Sequence, residues 1–126
     1  MKESIRTPLG KVRGLGAAKE GAHHFIVQRV SAIALLFLIP WFLVGVLFAV
    51  RGGYQGAVDF IANPLNAVLA LMTVGSALYH MQIGMQVVIE DYIAKTGTRL
   101  FLLLLNTFFA LTLFAAAAFS ILEIAT

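Results

Sequence analysis

The sequence predicts an all-α membrane protein with three transmembrane helices. Of its 126 residues, 60% are hydrophobic and 12% are charged, whereas soluble domains average roughly 45–50% and about 25%. Three stretches carry no charged residue: 21 residues at 30–50, 30 at 60–89 and 23 at 100–122. A helix of about 20 apolar residues spans a bilayer, so each stretch is long enough. The absence of cysteine excludes disulfides and thiolate-held metal sites.

The second uncharged stretch contains a helix-start signal. Asn63 precedes Pro64. Proline suits the first turn of a helix, because N–H groups there have no intrahelical acceptor and the absence of one costs no hydrogen bond. We therefore predict the second span at residues 65–89, after a short glycine-rich loop at residues 51–63. Residues 1–126 are predicted to form one membrane domain, with spans at 30–50, 65–89 and 100–122 and an irregular tail at 1–29.

The positions of Lys and Arg predict the orientation of the spans. Six of them precede the first span, Lys95 and Arg99 follow the second, and only Arg51 lies on the opposite side. Because basic residues concentrate on the cytoplasmic side, we expect a cytoplasmic N-terminus and a periplasmic C-terminus. The Met start and the lack of an Arg/Ser-rich transit peptide favour a bacterial inner membrane. The net charge of +3 reflects this bias, and we expect no nucleic-acid partner.

Among the acidic and basic residues, His80 is the one in the interior of a predicted span. It lies ten residues before Glu90, roughly 15 Å from the inner boundary at 1.5 Å per residue. Polar side chains at that depth are costly and usually functional. Helical spacing puts small or polar residues on its face: Thr73, Ser76, Gly84, Val87 and Asp91. Two interpretations stay open, axial ligation of haem iron or a hydrogen bond to a neighbouring helix.

Two further clusters fall at the inner boundary. Asp91 and Tyr92 are either an interfacial pair or part of a quinone site, where the hydroxyl donates to a carbonyl and the carboxylate relays protons. His23, His24 and Arg29 precede the first span. They either lie among headgroups or form a cationic site for haem propionates or a quinone head group.

These clusters resemble motifs of the smaller hydrophobic membrane anchor of succinate dehydrogenase, respiratory complex II. The first match is His80-x-x-Ile83-Gly84-Met85-x5-Asp91-Tyr92, with Ser76 one turn earlier. The second is Gly21-x-His23-x-Phe25-Ile26-x-x-Arg29-x-Ser31-Ala32-Ile33. Two motifs in the family's order, together with three spans, extend the similarity over essentially the whole chain.

The resemblance implies a role for each cluster. His80 would be an axial ligand of haem b iron, shared with a cytochrome b556-type anchor subunit, and Arg29 and His23 would lie near the haem propionates or the quinone. Tyr92 would donate to ubiquinone, assisted by Asp91. Electrons from succinate would arrive through a flavoprotein subunit and an iron–sulfur subunit. The chain would be a non-catalytic subunit serving the tricarboxylic acid cycle and the respiratory chain. His24 receives no role.

Two other functions are compatible with the sequence. One is the anchor of a menaquinol-dependent fumarate reductase, because the sequence fixes neither the quinone nor the direction of electron flow. The other is a haem-free structural membrane subunit, in which His80 only bonds to a neighbouring helix. Three helices offer few partners for polar groups, so we expect assembly with another membrane chain in each case.

Overall fold

The computed structural model describes residues 7–9 and 19–126, with side chains from 21 onward in the second range. Residues 19–126 form four helices and no strand: α1 Lys19–Arg51, α2 Gly53–Ala62, α3 Pro64–Tyr92 and α4 Thr96–Ala125. The three long helices α1, α3 and α4 are long and apolar enough to cross a membrane. Each predicted span falls inside one of them, so the predicted all-α fold with three transmembrane helices is confirmed.

Helix α3 lies at the centre of the helical layer. It packs against both α1 and α4, whereas α1 and α4 share no contact in residues 19–126. Only Asn63 separates α2 from α3, and residues 93–95 connect α3 to α4. Such short connections keep helices that are consecutive in sequence next to one another. The central helix therefore carries its side chains to two different interfaces.

The layer buries little of its apolar surface. Within residues 21–126, the buried apolar side chains are Ala67, Ala70, Ile83, Ile89 and Ala110. None of the large side chains in this range is fully buried, and Leu36 and Phe37 of α1 are 68% and 72% exposed. So small a core leaves most apolar side chains free to contact lipid or other membrane helices.

The segment between the first two spans is a helix, so the predicted loop at residues 51–63 is wrong. Gly53 adopts a φ of 62°, which reverses the chain after α1 and lets α2 begin at once. Gly45 makes room for the ring of Phe60, since a Cβ at residue 45 would lie 2.5 Å from its Cζ atom. A Cβ on Gly56 would collide with the main-chain oxygen of Ala49. The glycines that suggest a loop are therefore the residues that let α2 pack on α1.

The first helix begins earlier than predicted. Residues 19–29 form about three turns of α1, which corrects the expectation of an irregular tail there. The glycine at residue 21 destabilises a helix by only about 1 kcal/mol relative to alanine, too little to stop it. The 33 residues of α1 measure about 50 Å, so the helix extends beyond a hydrocarbon core of about 30 Å. The tail residues Lys2, Arg6, Gly10, Lys11, Arg13, Gly14 and Gly16 lie outside the described residues.

The predicted start of the second transmembrane helix is confirmed. The Oδ1 atom of Asn63 accepts hydrogen bonds from the N–H groups of Leu65, at 3.0 Å, and Asn66, at 3.3 Å. These donors have no partner inside the helix, so the cap satisfies them. Pro64 then occupies the first turn, where it needs no donor.

Candidate functional site

His80 lies in α3 where this helix contacts α1. Its Nδ1 atom is 2.9 Å from the Oγ of Ser31, a residue that is buried. The same hydroxyl donates to the main-chain carbonyl of Gln28 at 2.9 Å. The imidazole is half-buried, and its Nε2 atom has no hydrogen-bond partner among residues 21–126. One ring nitrogen is thus engaged by the chain, while the other is available to a ligand.

A cavity of about 260 Å³ lies beside His80 and is also lined by Phe25, Gln28, Arg29 and Ala32. Phe25, Arg29 and Ala32 are exposed, so the cavity opens outward from the helical layer. The guanidinium carbon of Arg29 lies 5.1 Å from the centre of the Phe25 ring, a cation–π contact that holds the positive charge at this edge. The site therefore combines a free ring nitrogen, an apolar wall and a cation.

Gly84 extends the open surface by one turn of α3. A Cβ atom at residue 84 would meet nothing within 4 Å, so packing inside the described chain does not require glycine there. Gly75 contrasts with it, because a Cβ at that position would lie 3.3 Å from the ring of Phe114. The space beside Gly84 can accommodate a flat group or a closely packed helix of another chain.

Asp91 and Tyr92 lie at the end of α3, and both are exposed. Asp91 follows His80 by eleven positions, which puts the carboxylate about 16 Å away along the axis and on nearly the same face. Tyr92 is turned about 120° from His80 around the axis, and its side chain is 82% exposed. Neither side chain forms a hydrogen bond within the described part of the chain. Their polar groups are accessible to another molecule.

The residues of the predicted cationic cluster do not share one surface. Arg29 lines the cavity beside His80, whereas His23 is exposed and does not line it. A difference of six positions turns His23 about 120° away from Arg29 around α1. His24 is half-buried, and its Nε2 atom is enclosed without a hydrogen-bond partner in the described residues. The structure brings Arg29 together with His80 but leaves His23 apart.

The sequence predicts that His80 can bond to a neighbouring helix, but it identifies neither the partner of that bond nor the polar contacts between α3 and α4. Ser31 is predicted only as a position of the second motif, yet it is the partner of His80. On the other side of α3, the Nε2 of Gln82 donates to the Oγ1 of Thr107 at 3.2 Å. Polar residues inside uncharged stretches were the available signal, because in lipid they find partners on neighbouring helices.

Comparison with known proteins agrees with the motifs and the fold. A family model described as succinate dehydrogenase/fumarate reductase transmembrane subunit matches residues 3–118. The chain is similar to proteins named succinate dehydrogenase hydrophobic membrane anchor subunit. The protein of Rickettsia bellii is 35% identical over 99 residues, 79% of either chain. That of Rickettsia conorii is 32% identical over 117 residues, 92% of this chain and 93% of the relative.

The similarity reaches beyond one genus. The protein of the same name from Paracoccus denitrificans is 30% identical over 115 residues, covering 91% of this chain and 88% of its own. The resemblance to the anchor family is thereby confirmed. Together with three apolar helices of spanning length, these bacterial relatives identify a multi-pass bacterial membrane protein. The chain belongs to the family of succinate dehydrogenase and fumarate reductase transmembrane subunits.

Proposed function

We propose that this chain is the smaller membrane anchor of a succinate dehydrogenase, that it co-ligates haem b and that it forms part of a ubiquinone site. The observation that carries the proposal is the state of His80. Its Nδ1 is engaged by Ser31, whereas Nε2 has no partner among the described residues. If lipid alone covered this face, the unpaired Nε2 would cost about 1–3 kcal/mol, and binding to another molecule would remove that cost. A haem iron would do so, because neutral imidazole is a common axial ligand.

The haem-free alternative explains less of the site. It requires only that His80 bond to a neighbouring helix, and the contact with Ser31 meets that requirement. It gives no reason for the free Nε2 or for the open space beside Gly84. A macrocycle with carboxylate side groups would use both, and Arg29 at the cavity edge could bind a propionate in a bidentate fashion.

When bound, haem supplies a one-electron carrier between two membrane chains. His80 would hold the iron from this side, and Arg29 would neutralise a propionate. Three of the residues that line the cavity beside His80 are exposed, and the cavity would need a second chain to close it. We propose a cytochrome b556-type anchor in that position. His23 lies off the cavity, so we propose it for the quinone environment at the inner boundary instead.

The quinone site is proposed at the end of α3. The Tyr92 hydroxyl would donate to a ubiquinone carbonyl, and Asp91 would relay protons as the quinone is reduced. Full reduction takes two electrons and two protons. The electrons would come from succinate through the flavoprotein and iron–sulfur subunits, docked on the side of Lys95 and Arg99. This chain would itself perform no succinate chemistry.

The names of the relatives favour one direction of electron flow. The family model covers both succinate dehydrogenase and fumarate reductase, but the similar proteins named above are all succinate dehydrogenase anchors. We therefore propose succinate oxidation with ubiquinone rather than fumarate reduction with menaquinol. Identification of the quinone that supports turnover of the purified complex tests this choice.

The ligand role is tested with His80→Ala in the complete complex. We expect the low-spin haem b spectrum to be lost or greatly altered, with assembly checked by co-purification of the flavoprotein and iron–sulfur subunits. The matched control is His23→Ala, which removes an exposed imidazole away from the cavity and should leave the spectrum unchanged. A normal spectrum in His80→Ala would contradict the ligand assignment.

A further inference from the structure

We infer that Ser31 is a positioning residue for His80: its hydroxyl fixes the imidazole tautomer that carries hydrogen on Nδ1 and so presents the lone pair of Nε2. The haem part of this inference rests on the proposed function. The tautomer itself follows from two contacts inside this chain. Both involve the single hydroxyl of Ser31.

The assignment comes from counting hydrogens. The Ser31 hydroxyl has one hydrogen, and its oxygen lies 2.9 Å from the Gln28 carbonyl and 2.9 Å from Nδ1 of His80. A carbonyl oxygen can only accept, so the hydroxyl donates to Gln28. The second contact is then a hydrogen bond only if Nδ1–H donates to the hydroxyl oxygen. In a neutral imidazole, hydrogen on Nδ1 leaves Nε2 as the acceptor.

The opposite tautomer leaves the contact between Ser31 and the Gln28 carbonyl without a hydrogen bond. If the hydroxyl donated to Nδ1 instead, two oxygens without an intervening hydrogen would face each other at 2.9 Å. Ser31 is only 7% exposed, so water is poorly placed to compensate. Nε2 would also carry hydrogen and could not bind a metal ion. The arrangement that satisfies both contacts is therefore the one that metal ligation requires.

This hydrogen bond also couples two helices at the site. Ser31 and Arg29 both belong to α1, while His80 belongs to α3. The first helix thus supplies both the acceptor that orients the imidazole and the cation beside it. A fixed acceptor on the remote ring nitrogen orients a metal-ligating histidine and raises its basicity. Losing that acceptor weakens the ligand without removing it.

The test uses the complete complex with Ser31→Ala, Ser31→Val and Ser31→Thr. The readouts are the haem midpoint potential and the rate of haem transfer to a scavenging apo-globin. Ser31→Ala and Ser31→Val should give a more positive potential, because a less basic imidazole stabilises ferric iron less. Haem transfer should be faster, in line with the 10–100-fold loss of metal affinity typical of such changes. Ser31→Thr keeps the hydroxyl and should behave like the unmodified chain.

The control is Ser120→Ala on α4, which removes another serine hydroxyl that donates to a main-chain carbonyl, that of Ala116, at 3.0 Å. It should change neither readout. Val and Thr are nearly equal in shape, so this pair decides the matter even if Ser31→Ala fails to assemble. Equal potentials and transfer rates for the pair overturn the positioning role. Retention of normal haem in His80→Ala would instead overturn the proposed function.

Discussion

The side chain of Asn106 donates a hydrogen bond of 2.9 Å to the main-chain carbonyl of Gln82, and so ties α4 to α3 within the apolar layer. The Gln82 side chain adds a second bond, to Thr107 at 3.2 Å. Close packing accompanies them, because Gly75 lets the ring of Phe114 approach α3. Hydrogen bonds between membrane helices contribute about 0.6 kcal/mol on average and up to about 1.7 kcal/mol.

A double-mutant cycle with Gln82→Leu and Thr107→Val measures the side-chain bond. We expect a coupling of about 0.6–1.7 kcal/mol in the free energy of unfolding. Titration of the complex with a denaturing detergent, followed through release of this chain, gives the values. Asn106→Leu is the control. Asn106 donates to the main chain of residue 82, which Gln82→Leu leaves in place. The effects of Asn106→Leu and Gln82→Leu on the free energy of unfolding should therefore add without coupling. Zero coupling between Gln82 and Thr107 would contradict the observed contact.

Packing of α2 on α1 is predicted to depend on Gly56. Gly56→Ala places a methyl group against the main-chain oxygen of Ala49, and main-chain atoms cannot move aside as a side chain can. The chain has no cysteine, so one cysteine introduced for Ile61, which faces this contact, can be labelled and detected by the mass of the chain. Labelling should be several-fold faster in the Gly56→Ala background. Gly97→Ala, where a Cβ meets nothing within 4 Å, should leave it unchanged.

The cap of α3 gives a third prediction. Asn63→Ala removes the acceptor for two main-chain N–H groups and should destabilise the protein by about 0.5–2 kcal/mol. Asn63→Asp keeps a side-chain oxygen and should retain most of that stability. Detergent-induced unfolding of the two variants side by side makes the comparison. Equal stability of the Ala and Asp variants would show that the cap does not contribute.

The three spans and the start at Asn63 could be predicted because each depends on residues that are neighbours in sequence. A stretch of about 20 apolar residues without a charge is enough by itself to predict a helix in lipid. The Asn-Pro pair likewise caps the helix that begins directly after Asn63. Helix α2 could not be predicted in this way. Gly45 accommodates Phe60 from a different helix, and a glycine that permits close packing looks the same in sequence as one that forms a turn.

The candidate site could likewise be predicted only where it depends on residues that are close in sequence. The depth of His80 follows from counting residues along α3, so it could be singled out from the sequence. Its bond to Ser31 joins residues 49 positions apart and depends on how two helices are rotated against each other. The separation of His23 from Arg29 has a different origin: both lie on α1, but the sequence did not indicate that the helix continues through them. No local sequence pattern predicts the bond between His80 and Ser31 or the separation of His23 from Arg29.

Tyr92→Phe tests the proposed quinone donor. The change removes one hydrogen bond, worth about 0.5–1.5 kcal/mol, so succinate:ubiquinone activity should fall by about 2–13-fold at about 1.36 kcal/mol per factor of ten. Succinate oxidation by a soluble dye, which bypasses the quinone site, should be unaffected. Tyr54→Phe is the matched control, because Tyr54 is similarly exposed, at 85%, but lies on α2. Unchanged ubiquinone activity in Tyr92→Phe would count against the donor role.

Arg29→Gln should shift the midpoint potential of the proposed haem to a more negative value. A cation beside the haem disfavours the additional positive charge of ferric iron, so its removal favours the oxidised state. The shift is opposite in sign to that expected for Ser31→Ala, although both residues lie on α1, and potentiometric titration distinguishes them. Arg51→Gln is the control: Arg51 stacks on Phe48 at the same 5.1 Å but lies at the other end of α1. If both arginine variants shifted the potential equally, Arg29 would act through general charge rather than through its place at the cavity.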